Sequence, residues 1–335
     1  MAKISNLLKH KAVSIFLFII ILCVIGVTAF AVLPYFRPVK IQTKEYIYVL
    51  KGDEVKISKY LGDDDTVIIP DSYLGRPITS MGVECFKNND SLESVVIPDT
   101  VSIIGAHTFV NCKNLKSVKA KNIVLVDDGA FREDENLQSV ELGEHLETIE
   151  EAAFKWCKSL EYIPSRESLK SIGPRAFECS GLTEVGDLTG VNIESENIFD
   201  GTPWMENQTG DHVIIGDVLV KYRGSGNISV IPEGVTIIAD TYEMNPDRKI
   251  TVYIPSSTTR IASYALIVSE NYTVYIPKSV DSIVDINELE SHDEKSCKII
   301  TVSGSYAEQY AKEHGMNYEI VDGWEVPEVN GDGSH

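Results

Sequence analysis

The chain has 335 residues and carries 50 acidic side chains against 30 basic ones, a formal net charge of −20. The first 33 residues hold three lysines and no acid, so the remainder carries 27 basic against 50 acidic side chains, or −23. A domain this acidic is repelled by nucleic-acid phosphates and by anionic lipid surfaces. The charge therefore excludes nucleic acid as an expected partner and predicts that the domain stands away from any bilayer.

The first predicted element is a hydrophobic segment. Residues 12–33 form an uncharged run of 22 residues behind a short tail, 1–11. As a helix, this run is long enough to cross the hydrocarbon core of a membrane. A cleaved secretory signal is the alternative, because Ala-Phe-Ala at 29–31 resembles a cleavage site, but the apolar part of such signals is only about 7 to 15 residues long. The sequence favours an uncleaved single-pass anchor, with 1–11 cytoplasmic and 34–335 extracellular, over a secreted form.

A linker and a hairpin are predicted after this anchor. Residues 34–44 have the composition of a short linker, and two alternating stretches in 45–64 flank Lys-Gly-Asp at 51–53, which predicts a β-hairpin. The open end of a solenoid exposes apolar side chains and unpaired strand edges. We therefore expect the hairpin to cap the first coil of the repeats that follow.

From residue 65 to residue 203 the sequence repeats every 22 or 23 residues. Phenylalanine marks the period, and the repeats also share a leucine followed three residues later by valine or isoleucine. These columns are Phe86, Phe109, Phe131, Phe154, Phe177 and Phe199; Leu92, Leu115, Leu137, Leu160 and Leu182; and Val95, Val118, Val140, Ile163 and Val185. A unit this short cannot bury its own apolar side, so neighbouring units must stack into one core. The period predicts a repeat solenoid of short parallel strands joined by loops or short helices.

The regular array is interrupted in 204–229, where two apolar stretches flank Gly216. Glycine at the first position of a two-residue turn predicts an inserted hairpin with a type II′ turn. The period returns in 230–300 as three Ile-Pro pairs, but the phenylalanine positions there hold Glu243, Leu266 and Glu288. We therefore expect these degenerate repeats to pack less regularly.

The chain closes with a predicted cap and a polar tail. In 301–321 a short helix is expected to stop at Gly315. Its spacing places four residues on one apolar face, namely Tyr306, Ala307, Tyr310 and Ala311. The acidic tail 322–335 has three glycines and no periodicity, so we expect it to be disordered.

The repeat units resemble the BspA-type leucine-rich repeat family of bacterial surface proteins, whose units read L-x-S-V-x-I-P…I-G-x-x-A-F-x-x-C-x-x-L. The resemblance extends over 39–321 and is closest in LKSIGPRAFECSGL at 169–182, in TPW at 202–204 and in GSYAEQYAKE at 304–313. It implies the leucine-rich repeat fold, display on the cell envelope, and a role in adhesion or protein binding.

The six cysteines contain no C-x-x-C pair, and three of them, Cys112, Cys157 and Cys179, follow the repeat period. Periodic cysteines are interpreted as small buried hydrophobic residues. Cys112 and Cys157 lie two coils apart, about 9 to 10 Å, which is beyond disulfide reach. Only Cys157 with Cys179, on adjacent coils, stays open as a disulfide.

No pattern of catalytic or metal-binding residues is present. The seven histidines share no column, and the sequence has no H-E-x-x-H, G-x-S-x-G or glycine-rich phosphate loop. We therefore predict a protein that is not an enzyme, with no catalytic, cofactor-binding or metal-binding residues. Acidic runs at 63–65, 127–128 and 133–135 leave calcium as an alternative. None has the spacing of a known calcium loop, so solvated acidic faces are the favoured interpretation.

The leading functional hypothesis is a membrane-anchored extracellular module that binds a protein or an envelope ligand through the exposed residues of successive coils. The alternative is a structural rod that acts as a spacer or assembles with neighbouring copies. A surface aromatic cluster would favour binding, and a bare acidic surface would favour a spacer. The candidates for such a cluster are Tyr46, Tyr48, Tyr253, Tyr272 and Tyr275, although strand tyrosines more often pack at a core edge.

Overall fold

The computed structural model describes residues 37–164, 166–193, 197–239, 248–262, 266, 270–284 and 297–327. The predicted tail (1–11) and anchor (12–33) lie outside these ranges, as do Glu243 and Glu288. No helix within the described ranges is long and apolar enough to cross a bilayer.

The chain winds into a β-solenoid in which each coil lies on the one before it. Equivalent strands of successive coils pair in parallel, so that Val95 is opposite Val118 and Val118 is opposite Val140. These partners are members of the valine column, because one repeat of 22 or 23 residues returns the chain to the same position one coil further on. The predicted solenoid of short parallel strands is confirmed.

The described strands form four sheets. Sheet 1 has ten strands, which are Val39–Gln42, Tyr46–Lys51, Glu54–Tyr60, Ser72–Tyr73, Arg76–Met81, Ile103–Ile104, Leu125–Val126, Thr148–Ile149, Ser171–Ile172 and Asn192–Ile193. Sheet 2 has four, which are Thr66–Ile68, Ser94–Val96, Ser117–Lys119 and Ser139–Glu141. Sheet 3 has five, which are His212–Ile215, Val218–Tyr222, Ile237–Ile238, Arg260–Ile261 and Ser282–Ile283. Sheet 4 also has five, which are Ile228–Val230, Ile250–Tyr253, Tyr272–Tyr275, Lys298–Thr301 and Tyr318–Ile320. The described residues also form a 3-10 turn, Arg166–Ser168, and the α-helices Pro203–Glu206 and Tyr306–Glu313.

The six phenylalanines of the regular repeats stack on one another through the solenoid interior. Consecutive ring centroids are 5.1 to 5.9 Å apart, and neighbouring ring planes lie within 17° of each other. Tyr60 extends the stack at one end, 5.0 Å from Phe86, and Trp204 meets Phe199 edge-on at the other. Each phenylalanine ring is at most 2% exposed. Aromatic contact adds about 0.5 to 1.5 kcal/mol per pair to this burial, so the stack joins the coils into one core.

Left-handed backbone flanks every phenylalanine of the stack. The residues two before and two after each ring have φ between 52° and 70°. They are Glu84, Asn88, His107, Asn111, Gly129, Glu133, Ala152, Trp156, Arg175, Cys179, Asn197 and Gly201. Only two of these are glycine, although this conformation costs other residues about 1 to 2 kcal/mol. We call each phenylalanine with its flanking left-handed residues a left-handed corner. Hydrogen bonds between coils hold each corner in place, for example from the Phe109 N–H to the Ala130 carbonyl at 2.8 Å.

Four of the described strand pairs are antiparallel, and two of them are hairpins that lead into a parallel array. The other two pairs are Val39–Gln42 with Tyr46–Lys51 and Ser72–Tyr73 with Arg76–Met81. At the N-terminal end, Tyr46–Lys51 pairs with Glu54–Tyr60, and the latter strand continues in parallel onto Arg76–Met81. Further along, His212–Ile215 pairs with Val218–Tyr222, which continues in parallel onto Ile237–Ile238. Each hairpin therefore supplies the strand from which a parallel array begins.

Gly216 opens the two-residue turn of the second hairpin with φ of 60°, whereas Asp217 is not among the left-handed residues. A positive φ at the first turn position alone is that of a type II′ turn. A Cβ on Gly216 would lie 2.7 Å from the Thr189 nitrogen, so the turn packs directly against the first array.

A second hydrophobic core begins at Leu219 and Tyr222 of this hairpin and extends through the helix Tyr306–Glu313 to Met316. Leu266 is fully buried at a position equivalent to phenylalanine in the first array. The Ser305 hydroxyl caps the helix by accepting the Glu308 N–H at 3.1 Å. Ala307, Tyr310 and Ala311 are buried, but Tyr306 is 39% exposed, so its predicted place on the apolar face is wrong. At 100° per residue it lies roughly 90° from the centre of that face.

Candidate binding surface

The outer face of sheet 4 carries a row of apolar and aromatic side chains. Along Ile250–Tyr253 and Tyr272–Tyr275, buried and half-buried residues alternate, because successive side chains point to opposite faces of a sheet. Tyr253 and Tyr275 are therefore on the outer face, opposite each other in adjacent coils. The same row continues to Val230 on one side and to Ile300 on the other.

The tyrosines of this row are stacked. The Tyr253 and Tyr275 ring centroids are 4.4 Å apart with planes 13° from parallel, and the Trp324 ring meets Tyr275 edge-on at 5.4 Å. All three side chains are only half-buried. Burial, with a contribution from Tyr275, raises the pKa of Tyr253, so the Tyr253 phenol stays neutral at physiological pH. We call Val230, Tyr253, Tyr275 and Trp324 the aromatic row.

Three of the five candidate tyrosines lie elsewhere. Tyr46, Tyr48 and Tyr272 are at most 6% exposed and belong to the hydrophobic cores. Trp324 was not among the candidates, because it falls in the segment 322–335 predicted to be disordered. The described part of that segment, 322–327, contains no helix or strand, yet the Trp324 ring is held against Tyr275.

The corresponding outer row of sheet 2 is apolar only at its start. Ile68 is 71% exposed and lies opposite Val96, which is 38% exposed. The row continues with Lys119 opposite Glu141, whose side chains form an ion pair at 3.2 Å. This face therefore changes from apolar to charged within four coils and offers no aromatic side chain.

Acidic side chains of the regular repeats are paired with lysines one coil away. The pairs are Lys116 with Glu93 at 2.7 Å, Lys158 with Glu135 at 2.8 Å, Lys170 with Glu147 at 2.7 Å and Lys155 with Glu178 at 2.6 Å. Exposed pairs of this kind contribute only about 0 to 1 kcal/mol each. They nevertheless neutralise part of the negative charge on the surface of the repeats. This surface is therefore not one of unpaired acidic side chains only.

The described cysteines are all free thiols, so the open Cys157–Cys179 disulfide is not formed. Cys112 and Cys157 are buried and donate to the carbonyls of Phe86 and Phe131, at 3.2 and 3.1 Å. Burial raises the pKa of the Cys157 thiol far above its usual range. These thiols are core residues, as the period indicated.

Asp134 is the exception among the acidic runs, because its side chain is fully buried rather than solvated. Its Oδ1 accepts the Cys112 N–H at 2.7 Å, while its Oδ2 is buried without a hydrogen-bond partner. Desolvation raises the pKa of this carboxyl well above its usual value. The interpretation of 133–135 as a solvated acidic face is wrong for this residue, which occupies the core position three residues after Phe131.

No group of three or more His, Cys, Asp or Glu side chains is placed to hold a metal ion in the part of the chain that the structure describes. The structure contains one Ser–His contact that the sequence analysis did not predict. His212 Nε2 lies 2.9 Å from the Ser229 hydroxyl. Ser229 is only 1% exposed, however, so a substrate has no access to this hydroxyl.

One family model agrees with this fold. Residues 79–205 match the family described as BspA type leucine-rich repeat region, with six copies, a narrower span than 39–321. A leucine-rich cell surface protein from Faecalibacterium prausnitzii is similar at 20% identity and a TM-score of 0.41, over 74% of this chain and 95% of the other.

Two further solved structures are similar. A leucine-rich repeat protein from Eubacterium ventriosum has 18% identity and a TM-score of 0.40, covering 80% of this chain and 73% of its own. The pneumococcal vaccine antigen PcpA has 14% identity and a TM-score of 0.43, covering 85% and 99%. No curated protein matches the chain in sequence.

Proposed function

Residues 79–205 belong to the BspA-type leucine-rich repeat family, and from this premise we propose that the chain is a non-catalytic binding module displayed outside the cell. The proposal includes a single-pass anchor at 12–33 with residues 34–335 extracellular. It is supported by the uncharged run of 22 residues at that position and by the surface display that the family resemblance implies.

The aromatic row is the observation that carries this proposal. Tyrosine and tryptophan supply large, rigid contact area at a low cost in side-chain entropy, and they are enriched among residues that dominate binding energy. Tyr253 and Tyr275 are stacked, Trp324 meets Tyr275 edge-on, and all three are half-exposed, so little further ordering is needed when a partner binds. We infer that this face of sheet 4 contacts an extracellular protein or envelope ligand.

Substitution of the two tyrosines tests the surface. Full-length protein displayed on cells should lose at least about tenfold in affinity for captured partners when Tyr253 and Tyr275 are both replaced by serine, the effect expected of two contact residues at the centre of an interface. Tyr162→Ser is the matched control, because Tyr162 is 39% exposed but lies on the regular repeats. Equal binding by the double variant and the wild type would contradict the assignment.

The alternatives predict different outcomes in the same experiment. Capture that is lost with a chelator would indicate calcium-dependent binding. Failure to capture any partner from host or envelope extracts would favour the structural spacer.

Protease shaving of intact cells tests the anchor. An extracellular domain should be removed from the membrane fraction by the protease, whereas a soluble form beginning near Val32 would show signal cleavage.

A further inference from the structure

A small pocket lies at the opposite end of the strands that carry the aromatic row. It has a volume of about 150 Å³ and is lined by Tyr222, Arg223, Gly224, Arg248, Ile250 and Tyr272. Ile250 and Tyr272 are the first residues of their strands, whereas Tyr253 and Tyr275 are the last. At about 3.3 Å per residue the two regions are roughly 10 Å apart. The pocket is therefore a separate feature and does not depend on the proposed function.

Two arginines border this pocket, and both are fixed by backbone carbonyls. Arg223 donates to the carbonyls of Met205 and Gln208, at 2.7 and 3.3 Å. Arg248 donates to the carbonyl of Gly226. A guanidinium has five N–H donors, so each arginine keeps donors beyond those that hold the backbone carbonyls.

Within the described part of the chain, no ion pair neutralises the charge of these arginines. In the first array lysines are bound to glutamates of the neighbouring coil. Neither Arg223 nor Arg248 forms an ion pair with a carboxylate among the described residues. Two guanidinium groups at one pocket, in a chain with a net charge of −20, form an unusual local concentration of positive charge.

Buried tyrosines form the remaining walls of the pocket, whereas Arg223 is exposed and Arg248 is half-buried. Tyr222 and Tyr272 are 5% and 1% exposed, and the Arg248 guanidinium carbon lies 6.0 Å from the Tyr222 ring centroid. Burial raises the pKa of the Tyr222 phenol, and the positive charge of Arg248 opposes that rise while Asp211 adds to it. Electrostatic attraction to an anion is stronger at the half-buried Arg248, beside these tyrosines, than in open solvent.

We propose that this pocket binds the oxyanion of a small ligand, a carboxylate, sulfate or phosphate group, between Arg223 and Arg248. The planar fork of arginine matches the geometry of such groups and binds them through two parallel hydrogen bonds. The negative charge of Asp211 reaches Tyr222 at the pocket wall, so Asp211 weakens anion binding there.

Calorimetric titration of the purified full-length protein tests the proposal. Sodium sulfate, phosphate and glucuronate are the probes, each at the ionic strength of a sodium chloride reference. We expect saturable binding of at least one probe, and the three arms identify the preferred oxyanion. Arg223→Gln and Arg248→Gln should each weaken binding by about 10- to 150-fold, the effect of losing a charged hydrogen bond of about 1.5 to 3 kcal/mol.

Two matched variants separate a specific site from general charge. Lys249→Gln removes the same charge from the exposed residue next to Arg248 and should leave affinity unchanged. Asp211→Asn should tighten binding several-fold, and this variant breaks no hydrogen bond of either arginine. The arginines also hold backbone carbonyls, so their replacement could destabilise the fold. The melting temperature of each variant in chloride separates such a loss of stability from a loss of anion binding. Absence of saturable binding by the wild type, an equal loss in Lys249→Gln, or unchanged affinity in Asp211→Asn would overturn the proposal.

Discussion

The buried carboxyl of Asp134 makes a prediction that links stability to pH. Burial holds its pKa above that of an exposed aspartate, so the unfolded chain releases this proton at a lower pH than the folded protein. Between the two pKa values the folded state binds more protons, and stability falls as pH rises. The slope for one group is at most about 1.4 kcal/mol per pH unit.

Asp134→Asn removes this ionisation with little change in shape. The Asn Oδ1 can still accept the Cys112 N–H, which is 2.7 Å from the native Oδ1. At pH 4 the neutral acid and the amide each leave a buried donor without a partner, so the two proteins should be equally stable within about 1 kcal/mol. As pH rises, the variant should become the more stable protein, with the gap growing by at most about 1.4 kcal/mol per unit.

Urea denaturation at pH 4, 5, 6, 7 and 8, followed by tryptophan fluorescence, measures this gap. Asp99→Asn is the control, because Asp99 is exposed and loses the same charge without relieving burial. A gap that stays constant with pH, or one that the control reproduces, would refute the assignment of a protonated buried carboxyl.

The aromatic stack and the left-handed corners give further predictions. Phe131→Ala should destabilise the protein by about 3 to 5 kcal/mol in urea denaturation, because its ring is buried between two others. Leu266→Ala should cost less, because leucine is smaller and contributes no ring to the stack; near-zero effects of both would be inconsistent with stacked coils. Gly129→Ala should cost about 1 to 2 kcal/mol by thermal denaturation, because φ is 54° and the new Cβ would lie 2.5 Å from His107 Nδ1. Gly226→Ala is the control, since its nearest neighbour would be 3.6 Å away; an equal loss there would argue against backbone strain.

The core of the first array was predictable from sequence because the period equals one coil. Residues 22 or 23 positions apart become direct neighbours, so columns such as Phe109 and Phe131 identify contacts without knowledge of the rest of the fold. Asp134 followed the same rule. It stands three residues after Phe131, as Cys112 and Cys157 stand after their phenylalanines, but its charge favoured interpretation as a solvated residue.

The candidate sites were less predictable because their contacts are not periodic. Trp324 reaches Tyr275 from beyond the last repeat, and no spacing relates the two residues. Arg223 and Arg248 line the same pocket because Arg223 directly follows the inserted hairpin, which lies beside the strand Ile250–Tyr253 that follows Arg248. The left-handed corners also gave no signal, since residues such as Glu84 and Trp156 replace the glycine that would have marked them.

The direction of the hydrogen bonds between coils has a mechanical consequence. The strands run across the solenoid axis, so the bonds that join one coil to the next lie along it. A pull between the N-terminal hairpin and the aromatic row loads these bonds end-on, and coils detach singly instead of sliding past one another. Each detached coil of 22 residues releases about 70 to 80 Å of extended chain. The second array has no phenylalanine stack, so we expect it to yield first. If the chain holds a cell through this surface, as proposed, the attachment would lengthen under load.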